Sequence, residues 1–239
     1  MNFFRLSLCL AAAVASVALP PAAFAQSGFP FTDETLKYSV NWPSGLSLGE
    51  ATFTAHHNGT GNWDFDVNLN VAVPAYAVID HFHGSATPEQ LCSVSVTKDT
   101  NHGGKKTAEK TAFDQAAHTA HRVTTQPSNG GDNSFDIAAC ARDAITYVYY
   151  GRRELGQGRV PQAQTVYLGA GYSVKMDYTG PQNISYNGKS TVTDHLNATV
   201  QGPRANFTVE VFYARDAART PLKIRIPLSI GAISVDLTP

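Results

Sequence analysis

The chain has 239 residues, 43% of them hydrophobic and 15% charged, and 18 Lys and Arg against 19 Asp and Glu leave a net charge of −1. That balance gives no electrostatic footing for nucleic acid or for an anionic membrane surface. The length suffices for one domain with a core of its own.

The chain opens "MNFFRLSLCLAAAVASVALPPAAFAQ". Arg5 supplies a positive first region, Leu6 to Leu19 an apolar run, and "AFA" before Gln26 a small-x-small cleavage pattern. This predicts a secretory signal peptide over residues 1–25, its apolar run being too short to cross a bilayer comfortably. A retained N-terminal anchor helix is the alternative. Cys9 follows Leu8 rather than a small residue and lies too near Met1 to be a lipidation site. Residues 26–239 are then expected to be a single β-rich domain, exported to the periplasm or beyond, with no transmembrane segment after cleavage and no nucleic-acid partner.

Past that segment, period-two alternation dominates, as half-buried antiparallel strands require. It begins in "LKYSVNW". Next, "GLSLG" at residues 45–49 matches the G-x-S-x-G nucleophile pattern, whose chemistry needs Ser47 on a strained turn between a strand and a helix. The following "EATFTAHH" alternates instead, so the spacing predicts a hairpin turn or bulge at Gly45 and Gly49. In "WDFDVNLNV", Trp63, Phe65, Val67, Leu69 and Val71 share one face, and Asp64, Asp66, Asn68 and Asn70 the other.

"IDHFHG", residues 79–84, sets His81 and His83 on one face of a strand. Two imidazoles can chelate, but a closed metal site needs a third ligand, and Asp80 points to the opposite face. His56, His57, His118 and His121 belong to other stretches. The reading is solvent-facing histidines and no metal site. Once Cys9 is removed, Cys92 and Cys140 remain. An even pair outside the cytoplasm reads first as a disulfide, with two buried free thiols as the alternative. "GGKKTAEK" reads as a solvated loop and strand edge.

The β rhythm breaks once, in "DIAACARDAITYVYYGRRELGQG". Helical spacing predicts one α-helix over about residues 137–156, capped by Asp136, ended by Gly156 or Gly158, with Pro161 preventing its continuation. A Cys92–Cys140 bond would tie a strand to the start of that helix. Ile145, Val148, Tyr149 and Leu155 form its packing side. Tyr147, Tyr150 and Glu154 lie on a different side and are the candidate ligand-binding residues, because tyrosines join apolar area to a hydroxyl. Alternatively, they only cover the sheet.

Alternation resumes in "YSVKMDY", "FTVEVFY" and "LKIRI", separated by turn chemistry such as "TGPQ" and "YNGK". Asp216 and Arg219 are spaced to pair across a tight turn, and Pro221 suits the start of an edge strand rather than a central one. No P-loop, dinucleotide fingerprint or H-E-x-x-H occurs, and the carboxylates are scattered. The sequence nominates no catalytic residue, no metal ligand set and no cofactor.

Several stretches together resemble the bacterial periplasmic family catalogued as domain of unknown function 3108. They are "LKYSVNWPSGLSLGEATFT", "VIDHFHGSATPEQLCSVSVTKD", "EKTAFD", "DAITYVYYGRREL" and "FYARDAARTPLKIRIPLSIGAISVDL". Gly49, Glu50 and Ala51 match a family Gly-Glu-Ala, and Asp80 and Phe82 match its second stretch, whereas His81 and His83 stand outside the pattern. The resemblance implies a secreted β-rich domain and no activity or catalytic residues to carry over.

The expected fold is all-β and mainly antiparallel, a curved sheet or partly closed barrel-like meander with one α-helix packed against it. The expected function is that of an exported, non-enzymatic envelope protein. It would bind an apolar, lipid-like or envelope-derived ligand on the concave face beside the helix. The alternatives are a structural or assembly protein docking on an envelope protein partner through a sheet edge, and a hydrolase using Ser47 or an unrecognised carboxylate pair.

Overall fold

Wherever apolar and polar side chains alternate, the chain forms strands, and among the described residues fifteen of them make one sheet. The computed structural model describes residues 32–73, 76–203, 205–228 and 231–239, so the expected signal peptide lies outside the described residues. A first wing of antiparallel hairpins comprises β1 (Glu34–Asn41), β2 (Ser47–His57), β3 (Trp63–Val73), β4 (Tyr76–Ala86), β5 (Ser93–His102), β6 (Lys105–Asp114), β7 (Thr119–Gln126) and β8 (Asp132–Asp136). A short β9 (Arg142–Asp143) and the helix α1 (Ala144–Gly156) follow. The second wing comprises β10 (Gln164–Tyr167), β11 (Gly171–Tyr186), β12 (Lys189–Gly202), β13 (Ala205–Ala214), β14 (Pro221–Leu228) and β15 (Gly231–Leu237).

The two wings join where β1 pairs antiparallel with β15, placing Tyr38 opposite Leu237 and Val40 opposite Val235. Strand order therefore runs from β8 back to β1, then from β15 back to β9, with β9 parallel to β10. The sheet is curved and not closed. A sheet of this length must curl to hide its apolar face, and here the curl makes a trough.

The helix lies in that trough and is apolar on more than one side. Ile145 and Tyr149 pack with Trp63 and Phe65 of the first wing, Tyr149 stacking on Phe65 at 4.1 Å between ring centroids. Tyr147 and Leu155 pack with Val174 and Leu196 of the second wing. A helix with buried side chains around most of its circumference needs elements on both sides, and the two wings supply them.

The helix begins at Ala144, not at residue 137, and its N-cap is Asp143 rather than Asp136. Asp136 instead ends β8, opposite Thr119. Between them Cys140 takes a left-handed backbone, φ 52°, which interrupts any helix there, and Arg142 and Asp143 pair with Val166 and Tyr167. The predicted end holds: the helix stops at Gly156 with Gln157 as C-cap, and Gly158 follows at φ 75°. The Cys92–Cys140 disulfide is present, with 4.6 Å between Cα atoms, and it ties the entrance of β5 to the segment before the helix.

One smaller expectation is refined and another corrected. Arg219 and Asp216 do meet across the turn, but through the backbone, the Arg219 amide donating to the Asp216 carbonyl at 3.3 Å. The Arg219 guanidinium pairs instead with Asp194 of β12 at 2.6 Å, and the Asp216 carboxylate accepts from the Thr220 amide and hydroxyl. Pro221 starts β14, which is central, lying between β13 and β15. It is tolerated because it is the first residue, at a register shift between Phe212 and Tyr213, where no ladder donor is needed.

Candidate functional site

Ser47 is exposed and begins β2 directly after the turn at residues 42–46, so a strand stands where the nucleophile pattern needs a helix. The register shift between Val40 and Asn41 makes this a bulge. Gly49 is required there: it sits at φ 146°, and a Cβ would stand 2.1 Å from the Asn70 carbonyl oxygen. The histidines disperse. His81 bonds Asn68 at 2.6 Å and His83 bonds Asp66 at 2.9 Å, while His57 pairs with Asp33 and His121 with Asp132. Among the described residues no three His, Cys, Asp or Glu side chains converge as a metal set.

The structure separates the three helix residues singled out from the sequence. Tyr147 is buried at 5% exposure and lines a cavity; its hydroxyl has no hydrogen-bond partner, and burial pushes its pKa up to about 12. Tyr150 lies outside that lining, between two guanidinium groups, with Arg142 at 3.7 Å and Arg153 at 5.5 Å from its ring centroid. Glu154 is also outside it and pairs with Arg159 at 2.8 Å. Tyr150 therefore holds the helix to the segment before β5, where Arg142 and Arg153 both donate to the Gln90 carbonyl. Tyr150→Ala is expected to lower unfolding free energy by about 2–3 kcal/mol. Affinity per folded molecule for an apolar probe should stay the same, a pair of outcomes that urea titration and fluorescence binding read separately.

The cavity follows from strand register. Every second residue faces the trough, so Val174, Val200 and Phe207 form one row across β11, β12 and β13, and Met176, Ala198 and Val209 form the next. Ala198 is small, and it lines the cavity together with Met176 and Val209 of its row. Ala144, Tyr147 and Val148 of α1 close one side, and Leu36, Tyr38 and Phe53 of the first wing close another. The resulting cavity has a volume of about 480 Å³ and a lining that is almost wholly apolar. Val148, expected among the packing residues, faces this space instead.

Two cations reach the lining, Lys98 and Arg152. Arg152 is 1% exposed and committed: it forks onto both carboxylate oxygens of Glu34, and its Nε donates to the Ala218 carbonyl at 3.0 Å. Lys98 faces Glu109 at 3.8 Å, an ion pair without a hydrogen bond. Sequence reading missed Lys98 and the second-wing rows. The alternation in "YSVKMDY" and "FTVEVFY" marks an apolar face, but it does not say that the face stays uncovered.

A family model described as a protein of unknown function (DUF3108) matches residues 37–238. No curated protein and no solved structure matches the chain.

Proposed function

We propose that this chain, which belongs to the DUF3108 family, is an exported, non-enzymatic binding protein that holds the apolar part of a small amphiphile in the trough between helix and sheet. The observation that carries the reading is the cavity itself. At about 480 Å³ it falls within the range of small-molecule sites, roughly 300–1,000 Å³. A sealed void of that volume would cost on the order of 10 kcal/mol, close to the whole stability of a domain. The trough is instead partly open, and an apolar occupant would recover contacts that its walls lack. A disulfide suits an oxidising compartment outside the cytoplasm and supports export.

Ala198→Phe tests this reading, because the new ring enters the cavity. The neutral dye N-phenyl-1-naphthylamine should bind the wild type with a rise in fluorescence. Ala198→Phe should weaken that binding at least about tenfold, the loss expected when roughly 1.4 kcal/mol of apolar contact is denied. Circular dichroism should be unchanged, since the substitution fills empty space. Dye binding that is absent in the wild type, or equal in the variant, would overturn the reading.

A further inference from the structure

The trough has a chemical gradient along one row of the first wing. Antiparallel register places Phe53 opposite Val67, Val67 opposite Phe82, Phe82 opposite Lys98, and Lys98 opposite Glu109. Read across the sheet, three apolar side chains lead to one ammonium and then one carboxylate. Phe53 and Lys98 both line the cavity, while Val67 and Phe82 between them pack in the core cluster with Ile145 and Tyr149 of the helix. The second wing crosses over at the Lys98 end: Leu168 lines the cavity, and the turn after it packs Gly169 against the Glu109 carboxylate.

Building on the cavity reading, we propose that Lys98 is the headgroup contact of this site and that the ligand class is a single-chain amphiphile with an acidic head, a carboxylate or a phosphate monoester. Three observations carry it. First, Arg152 is excluded as the contact because its guanidinium is already bound to Glu34 and to the Ala218 carbonyl. Second, the Lys98 ammonium has three donors and makes no hydrogen bond to another protein group; its one charged protein partner stands at 3.8 Å. An acceptor arriving from the cavity can form a charge-assisted bond of about 2.8 Å without breaking a hydrogen bond within the protein. Third, the four-carbon stem of a lysine lies along apolar surface while its ammonium seeks a polar partner, which suits the boundary between chain and head.

Glu109 has a consequent role. Its Oε2 is buried and lies 3.8 Å from the Lys98 ammonium, so the carboxyl competes with an arriving head for that cation. It therefore weakens the grip on an acidic head, and its removal should tighten binding.

The experiment compares dodecanoate, dodecyl phosphate and 1-dodecanol as displacers of N-phenyl-1-naphthylamine, at mildly alkaline pH and below their micelle concentrations. Wild type should bind the two acids roughly tenfold to a hundredfold more tightly than the alcohol, as expected for a hydrogen bond to a charged group. Lys98→Met should abolish that preference and leave the alcohol unchanged, which also shows that the variant is folded. Glu109→Gln should widen the preference. Equal binding of acid and alcohol, or equal losses for both in Lys98→Met, would overturn the headgroup assignment while leaving the apolar cavity reading intact. Failure of all three to displace the dye would remove both.

Discussion

Replacing Arg152 with methionine is expected to destabilise the fold by about 3–5 kcal/mol, the cost of breaking one side of a buried ion pair. The helix carries this guanidinium into the trough at 1% exposure, where it meets Glu34 of β1 and the carbonyl of Ala218 in the β13–β14 turn. Three parts of the chain that are distant in sequence are thereby fixed to one another. Methionine fills much of the volume but leaves the Glu34 carboxylate, itself only 18% exposed, without its cation. It also leaves the Ala218 carbonyl without this donor. The Tyr149 ring, 5.5 Å from the guanidinium carbon, loses a cation as well.

The companion variant decides the cause. Glu34→Leu with Arg152→Met removes both charges, and replacing both partners of a buried pair by apolar groups is far less costly than removing one. The double variant should regain roughly 2 kcal/mol or more over Arg152→Met alone in urea titration. Losses that simply add would mean that the guanidinium acts by packing rather than by pairing.

What could be read in the sequence was local. Alternation in "WDFDVNLNV" is enough to place Phe65 inward and Asp66 outward, and the structure puts Phe65 at 0% exposure and Asp66 in a pair with His83. The helix body and its end were likewise written in spacing and in glycine. Its start was not, because two aspartates precede helix-compatible residues and the choice between them depends on partners far away. Asp143 is selected by Ser93 and by the pairing of Arg142 with Val166, neither of which leaves a local trace. The same limit explains why Arg152–Glu34 and Lys98–Glu109 were missed: which wing faces which depends on the curl of the whole sheet. In "IDHFHG" the histidines drew notice, yet Gly84 is the residue that lets β4 approach the helix cap. A Cβ there would stand 3.3 and 3.4 Å from the two carboxylate oxygens of Asp143.

Asp143→Ala is expected to cost about 3–5 kcal/mol, since it removes a helix cap and orphans buried donors at once. The carboxylate is fully buried and accepts four hydrogen bonds. The amides of Ile145 and Thr146 donate to Oδ1 at 2.8 and 3.0 Å, and the hydroxyls of Ser93 and Thr146 donate to Oδ2 at 2.5 and 2.6 Å. Asp143→Asn should be much milder, about 1 kcal/mol. Its amide oxygen can still cap the helix, and its NH₂ would face two hydroxyls, which can accept as well as donate. The charge itself is the costly part. Burial raises the Asp143 pKa above the usual carboxylate range, and the hydrogen bonds from Ser93, Thr146 and Ile145 oppose that rise without cancelling it. A group whose folded pKa exceeds its unfolded one binds its proton more tightly when folded. Its contribution to stability is therefore complete below the unfolded value, near 4, and is lost as pH rises through the folded value. The stability of wild type minus that of Asp143→Asn should accordingly decline as pH is raised from about 4, then level off. Urea titrations of both proteins across that range supply the difference directly. A difference that grows with pH would show that the four donors outweigh burial, and that the cap is held by a carboxylate ionised more readily than in the unfolded chain.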